Sequence, residues 1–191
     1  MAYTAATAVS FCQRQMGRYR DGECWTLVED AVVGAGGKSS RVLTPRFSAH
    51  ASFVWGSVVQ SNGLQAGDVL QFSGYSWTRT TDTDVTNPDG SGTTNQTVAT
   101  ETRGMPQHTA LVVRVVSTGI VEVIEQNIPP ATGPVQTLTL VLTAPAQSVT
   151  TTRTPHPSGG ETVTIVTVTD RVTNPPRCYR LSPACGFGAY G

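Results

Sequence analysis

The chain has 191 residues and zero formal net charge, with 13 basic and 13 acidic side chains and only 14% charged residues in all. A neutral chain of this length can bury a core but offers no charge field to attract nucleic acid or an anionic membrane. No stretch approaches the ~20 apolar residues of a membrane span, and Met1-Ala2-Tyr3-Thr4-Ala5-Ala6 lacks the basic start and apolar run of a signal peptide, so a cytoplasmic protein is expected.

A first helix is predicted from Thr4 to Met16, with Ala5, Val9, Cys12 and Met16 on one stripe and Gly17 closing it. A second begins at Gly22 or Glu23 and stops at Gly34-Ala35-Gly36-Gly37, with Cys24, Leu27, Val28, Ala31 and Val32 on its apolar face. Strands dominate after that, in keeping with 29 threonines, whose branched side chains suit a pleated surface. Short strands are expected at Phe53-Val54-Trp55-Gly56 and Asp68-Val69-Leu70-Gln71-Phe72. His108 to Val116 and Ile120 to Asn127 read as a tight hairpin turning at Ser117-Thr118-Gly119.

Two Thr-rich excursions lie outside this pattern. Trp77 to Val85 and Thr93 to Thr102 flank Asn87-Pro88-Asp89-Gly90-Ser91-Gly92, while Val135 to Thr152 and Glu161 to Val172 flank Pro155-His156-Pro157-Ser158-Gly159-Gly160. Each reads as a long hairpin, spanning about 76–104 and 135–172, inserted into a single domain covering 1–191. Their edges also offer a route to assembly, so a structural protein is one alternative reading.

The chemistry gathers around Cys24 in Gly22-Glu23-Cys24-Trp25, at the start of the second helix. The thiolate is the nucleophile, and a helix N-terminus favours it through its partial positive charge and free N–H groups, which also suit a developing oxyanion. His108, opening the strand His-Thr-Ala-Leu-Val-Val, is placed to hold and return the proton. Its second ring nitrogen needs an acceptor, which Glu125 or Asn127 can supply from the paired strand. Strand alternation puts Val121, Val123, Glu125 and Asn127 on one face and Gln126 on the other.

These motifs, in this order, resemble the CHAP and NlpC-type branch of papain-fold cysteine hydrolases. Gly22-Glu23-Cys24-Trp25, Val54-Trp55-Gly56, Gly67-Asp68-Val69-Leu70-Gln71-Phe72, His108-Thr109-Ala110 and Glu125-Gln126-Asn127 are more similar still to the cysteine-proteinase-fold domain of fungal actin-patch proteins of the Bbc and Aim type and its stand-alone relatives. The similarity covers about residues 8–75, 105–128 and Cys178-Tyr179-Arg180-Leu181-Ser182-Pro183, and omits both hairpins. It implies an α+β, papain-like fold with two N-terminal helices packed on an antiparallel sheet. It also implies Cys24 as nucleophile, His108 as base, Glu125 as orienting carboxylate and Asn127 as supporting amide, with a peptide or peptidoglycan-like amide as substrate. Domains of this fold also serve as non-catalytic interaction modules, so a protein partner is the second reading.

No cofactor or metal is expected. Asp82 to Gly90 lacks the glycine and terminal glutamate spacing of a calcium loop, His50 and His156 have no ligand-spaced neighbours, and Gly34 to Gly37 follows a helix rather than a strand. Cys178 and Cys185 could close a small disulfide loop, although no export signal points to an oxidising compartment.

Overall fold

The computed structural model describes residues 2–15, 17–48, 51–128 and 133–182. Met16, His50 and a Cys178–Cys185 bridge therefore lie outside the described residues.

Helix α1 (Ala5–Gln13) buries Ala8, Val9 and Cys12, and α2 (Cys24–Gly34) buries Leu27, Val28, Ala31 and Val32 at helical spacing. A single turn, α3 (Ser40–Leu43), follows, its N-cap Ser39 side chain accepting from the Arg41 N–H. Ten strands follow among the described residues: β1 (Ser57–Val59), β2 (Val69–Phe72), β3 (Tyr75–Thr86), β4 (Gly92–Arg103), β5 (His108–Ser117), β6 (Ile120–Glu125), β7 (Gln136–Val141), β8 (Ser148–Pro155), β9 (Glu161–Thr173) and β10 (Arg177–Arg180). Among the described residues no helix is long and apolar enough to cross a membrane.

Strand makes up 45% of the structure and helix 16%, in two antiparallel sheets, so the protein is mostly β. This corrects the α+β, papain-like class expected from the sequence, with its two helices on one sheet. The difference lies in the Thr-rich segments. They do not stand as two separate insertions: β3 pairs along its length with β9, and the hairpins fuse into a four-stranded sheet ordered β4-β3-β9-β8. The second hairpin is also shorter than expected, because β7 pairs with β6 in the other sheet. Leu140, fully buried on β7, belongs to that sheet's core, and the chain enters β8 only after Ala144-Pro145-Ala146-Gln147.

The other sheet has six strands ordered β1-β10-β2-β5-β6-β7. The expected strand over Phe53 to Gly56 begins its ladder later, at Ser57, while Phe53 and Trp55 enter the core as side chains. Val69, Leu111, Ile124 and Tyr179 join the apolar residues of α1 and α2 in one core cluster. The alternate positions Leu70, Ala110, Val112, Val121 and Val123 join Phe72, Tyr75 and Leu140 in a second cluster, against which Trp77 and Val172 from the base of the four-stranded sheet pack. With apolar side chains on successive positions, β2, the first half of β5 and the end of β6 are covered on both faces.

Candidate functional site

Helix α2 begins at Cys24 because the preceding loop is held from two sides. Gly22 sits at φ +84°, a left-handed conformation that favours glycine. Asp21 then ties the loop to the helix start: its Oδ1 accepts from the Glu23 N–H at 3.0 Å and its Oδ2 from the Thr26 hydroxyl at 2.8 Å. From the sheet, the fully buried Gln126 accepts from the Tyr19 N–H at 3.1 Å and donates to the Tyr19 and Glu23 carbonyls at 3.3 and 2.7 Å. The Leu27 N–H reaches back to the Glu23 carbonyl at 3.3 Å, so the N–H groups of Cys24, Trp25 and Thr26 precede the intrahelical ladder. They are the donors an oxyanion needs.

His108 opens β5 and alternates with Ala110 and Val112; Glu125 ends β6 and alternates with Val121 and Val123. Continuing the register Leu111↔Ile124 and Val112↔Val123 puts Glu125 opposite Ala110, one diagonal step from His108. Glu125 Oε2 lies 2.6 Å from His108 Nε2, which leaves Nδ1 as the ring nitrogen available to the thiol. On its other side Glu125 receives Arg103, with Nε at 2.9 and 3.2 Å from the two carboxylate oxygens and Nη2 at 2.9 Å from Oε1. Arg103 Nη1 also donates to the Thr102 carbonyl at 2.8 Å. All three charged or chargeable side chains are at least nine-tenths buried.

This arrangement fixes the proton. Burial acts on His108 first and favours the neutral ring, but hydrogen bonding and charge from Cys24 and Glu125 outweigh it and push the imidazole up from 6.5 to about 9. Burial likewise opposes the charge on Glu125, and His108 followed by Arg103 holds the carboxyl below its ordinary value. Burial pushes the thiol of Cys12 up to about 12 and, aided by the Asp68 charge, that of Cys178 up to about 11.

Of the four residues singled out from the sequence, the structure brings Cys24, His108 and Glu125 together, and Asn127 only to the rim. β6 ends at Glu125, and Asn127 takes φ +66°, so strand alternation does not carry over to it. Its amide donates to Glu23 Oε2 at 3.2 Å instead of reaching His108. Arg103 and Gln126 were not anticipated. Gln126 follows directly on β6, and alternation puts it on the face opposite Glu125 without showing a role; Arg103 carries no signal, because its partner is brought to it by a hairpin.

Two cavities flank the thiol and imidazole. One, of about 280 Å³, has Asp21, Trp25, Arg41, Phe47 and Phe53 in its wall; the other, of about 270 Å³, has Arg103, Met105 and Asn127, and Glu23 lines both. Cys24 and His108 line both, so an extended chain has room on either side of the sulfur. Among the described residues no three His, Cys, Asp or Glu side chains converge to hold a metal. Asp82 and Asp84 instead accept cross-strand hydrogen bonds from Gln96 and Thr94, both at 2.7 Å.

No protein-family model, curated protein or solved structure matches the chain.

Proposed function

We propose that this protein is a cysteine-dependent hydrolase of amide bonds, of the kind its motifs resemble in CHAP and NlpC-type enzymes, acting on a peptide or peptidoglycan-like chain. One observation carries the reading: the buried series Arg103, Glu125, His108 ends at a thiol that lies at a helix start and lines two cavities. A surface used only for docking gains nothing from burying a guanidinium, a carboxylate and an imidazole, whose desolvation is costly. Paired as they are, they set the charge of one ring.

The Cys24 thiolate attacks the carbonyl carbon, forming the C–S bond while the carbonyl electron pair moves onto oxygen, opposite the free N–H groups of the α2 start. Protonated His108 then gives its proton to the leaving nitrogen as the C–N bond breaks, which leaves a thioester and a neutral imidazole. Water loses a proton to that imidazole and adds to the thioester carbon. The C–S bond breaks, the acid product leaves, and the thiolate and imidazolium are restored. Glu125 stays ionised throughout and orients the ring through Nε2; Arg103 keeps Glu125 ionised.

Alkylation by iodoacetamide, read at each cysteine by peptide mass spectrometry across pH, tests the activated thiol. Cys24 is expected to react orders of magnitude faster at neutral pH than Cys12 or Cys178, which burial keeps protonated, and to lose that advantage in His108→Ala. A panel of peptides and peptidoglycan fragments then tests turnover, with Cys24→Ala as the blank. Equal labelling of all three thiols, unchanged by His108→Ala, would leave the cleft as a passive binding site.

A further inference from the structure

The first cavity contains a cation with no carboxylate partner among the described residues. The Arg41 guanidinium lies 4.4 Å from the Trp25 ring centroid and 4.9 Å from that of Phe47, held by stacking. The acids around it are engaged elsewhere. Buried Glu29 accepts from the Ser39 hydroxyl and, at 3.0 and 2.7 Å, from the Ser40 N–H and hydroxyl. Asp30 is taken by Arg20 and by the Tyr19 hydroxyl at 3.0 Å; of the two acids that line the cavity itself, Asp21 accepts from the Glu23 N–H and the Thr26 hydroxyl, and Glu23 accepts from the Asn127 amide at 3.2 Å. The aromatic platform is equally fixed: Trp25 Nε1 donates to Ser40 Oγ at 2.8 Å, and the Phe47 and Phe53 centroids stand 5.6 and 5.8 Å from that of Trp25.

We infer that this cavity is a subsite for a carboxylate carried beside a planar or apolar group, so that the hydrolase takes amide substrates bearing an anionic group on that side of the scissile bond. The inference rests on the proposed function for what happens at Cys24, but the binding itself needs only the platform and the cation. A guanidinium already stacked on two rings presents its N–H edge with little conformational freedom left to lose. An anion there meets a guanidinium that makes no ion pair among the described residues, and the rings cover the adjoining apolar group.

N-succinyl-phenylalanine amide and N-acetyl-phenylalanine amide differ in one carboxylate, and their binding to the Cys24→Ser protein can be followed at the Trp25 indole N–H resonance. The succinyl compound is expected to bind about tenfold more tightly, the size of one partly exposed charge-assisted hydrogen bond. That preference should fall to near unity in Arg41→Gln and survive in part in Arg41→Lys. Equal binding of the two compounds, or a succinyl preference that persists in Arg41→Gln, overturns the subsite. The matching chloromethyl ketones, used on the unsubstituted protein, test the chemistry separately. A succinyl preference in binding without faster labelling of Cys24 supports the subsite and removes the hydrolase reading; fast labelling with no succinyl preference does the reverse.

Discussion

Arg103 holds a carboxylate that already binds a histidine, and after His108 it is the second group that keeps that carboxylate charged. Removing one member of a buried pair strands the other, at a cost of about 3–5 kcal/mol, so Arg103→Met should destabilise the protein by that order in urea unfolding. Arg103→Lys keeps the charge but loses the fork that reaches both Glu125 oxygens, and should fall between. The pH dependence follows from the two shifts. His108 is raised, so the stability it contributes is whole below 6.5 and is lost as pH climbs through about 9. Glu125 is lowered, so its contribution is whole above 4.5 and fades only as pH falls through its depressed value. Both are intact between 4.5 and 6.5, where stability should be greatest. In turnover, the acid form of His108 donates the proton, so the alkaline limb should lie near 9. Glu125→Gln removes one of the causes that raise the ring and should move that limb to lower pH; a limb that stays in place would separate Glu125 from the proton transfer.

Two element ends define the site, the N-terminus of α2 and the C-terminus of β6, and Gln126 ties them together. Its amide is the only side chain described here that reaches both Tyr19 and Glu23, the two ends of the loop that delivers Cys24. Gln126→Leu leaves three backbone groups without that partner and should cost roughly 2–3 kcal/mol. Its more telling effect should be a slower alkylation of Cys24 at neutral pH, since the thiol would no longer be held at the first helical turn. Normal alkylation in a destabilised Gln126→Leu protein would show that the loop holds its shape without the clamp. These ends also mark what was legible beforehand. Cys24, His108 and Glu125 stand in short stretches whose local pattern announces helix start, strand start and strand end. Asn127 was misplaced because alternation was extended two residues beyond a strand that ends at Glu125, into a left-handed residue that asparagine tolerates.

At the scale of the molecule, what escaped the sequence was non-local pairing. Each Thr-rich hairpin could be recognised from its turn, but nothing in β3 specifies that β9, some 80 residues later, will lie beside it, and both faces are polar enough to leave register weakly marked. The base of the four-stranded sheet is not peripheral. Tyr75 is buried and donates to the Val141 carbonyl at 2.6 Å, Asp170 binds Trp77 Nε1 at 2.8 Å and Arg79 twice at 3.0 Å, and β4 ends on Arg103 itself. Farther out, β4 and β8 are exposed over almost their whole length, and the arm extends ~40 Å from the core at about 3.3 Å per residue. The arm should therefore divide at a definite level. Joining Thr80 to Val98 through an Asn-Gly turn, and Ser148 to Val168 in the same way, removes the outer sheet at paired positions and keeps Tyr75, Trp77, Asp170 and Arg103. The shortened protein should melt within about 4 °C of the full chain, a change of about 1 kcal/mol at this size, and Cys24 should alkylate at the same rate. Cutting one level lower, so that Arg79 and Asp170 are lost, should loosen the base and slow Cys24 through Arg103. If the upper cut alone abolishes Cys24 reactivity, the outer arm and not merely its base supports the site.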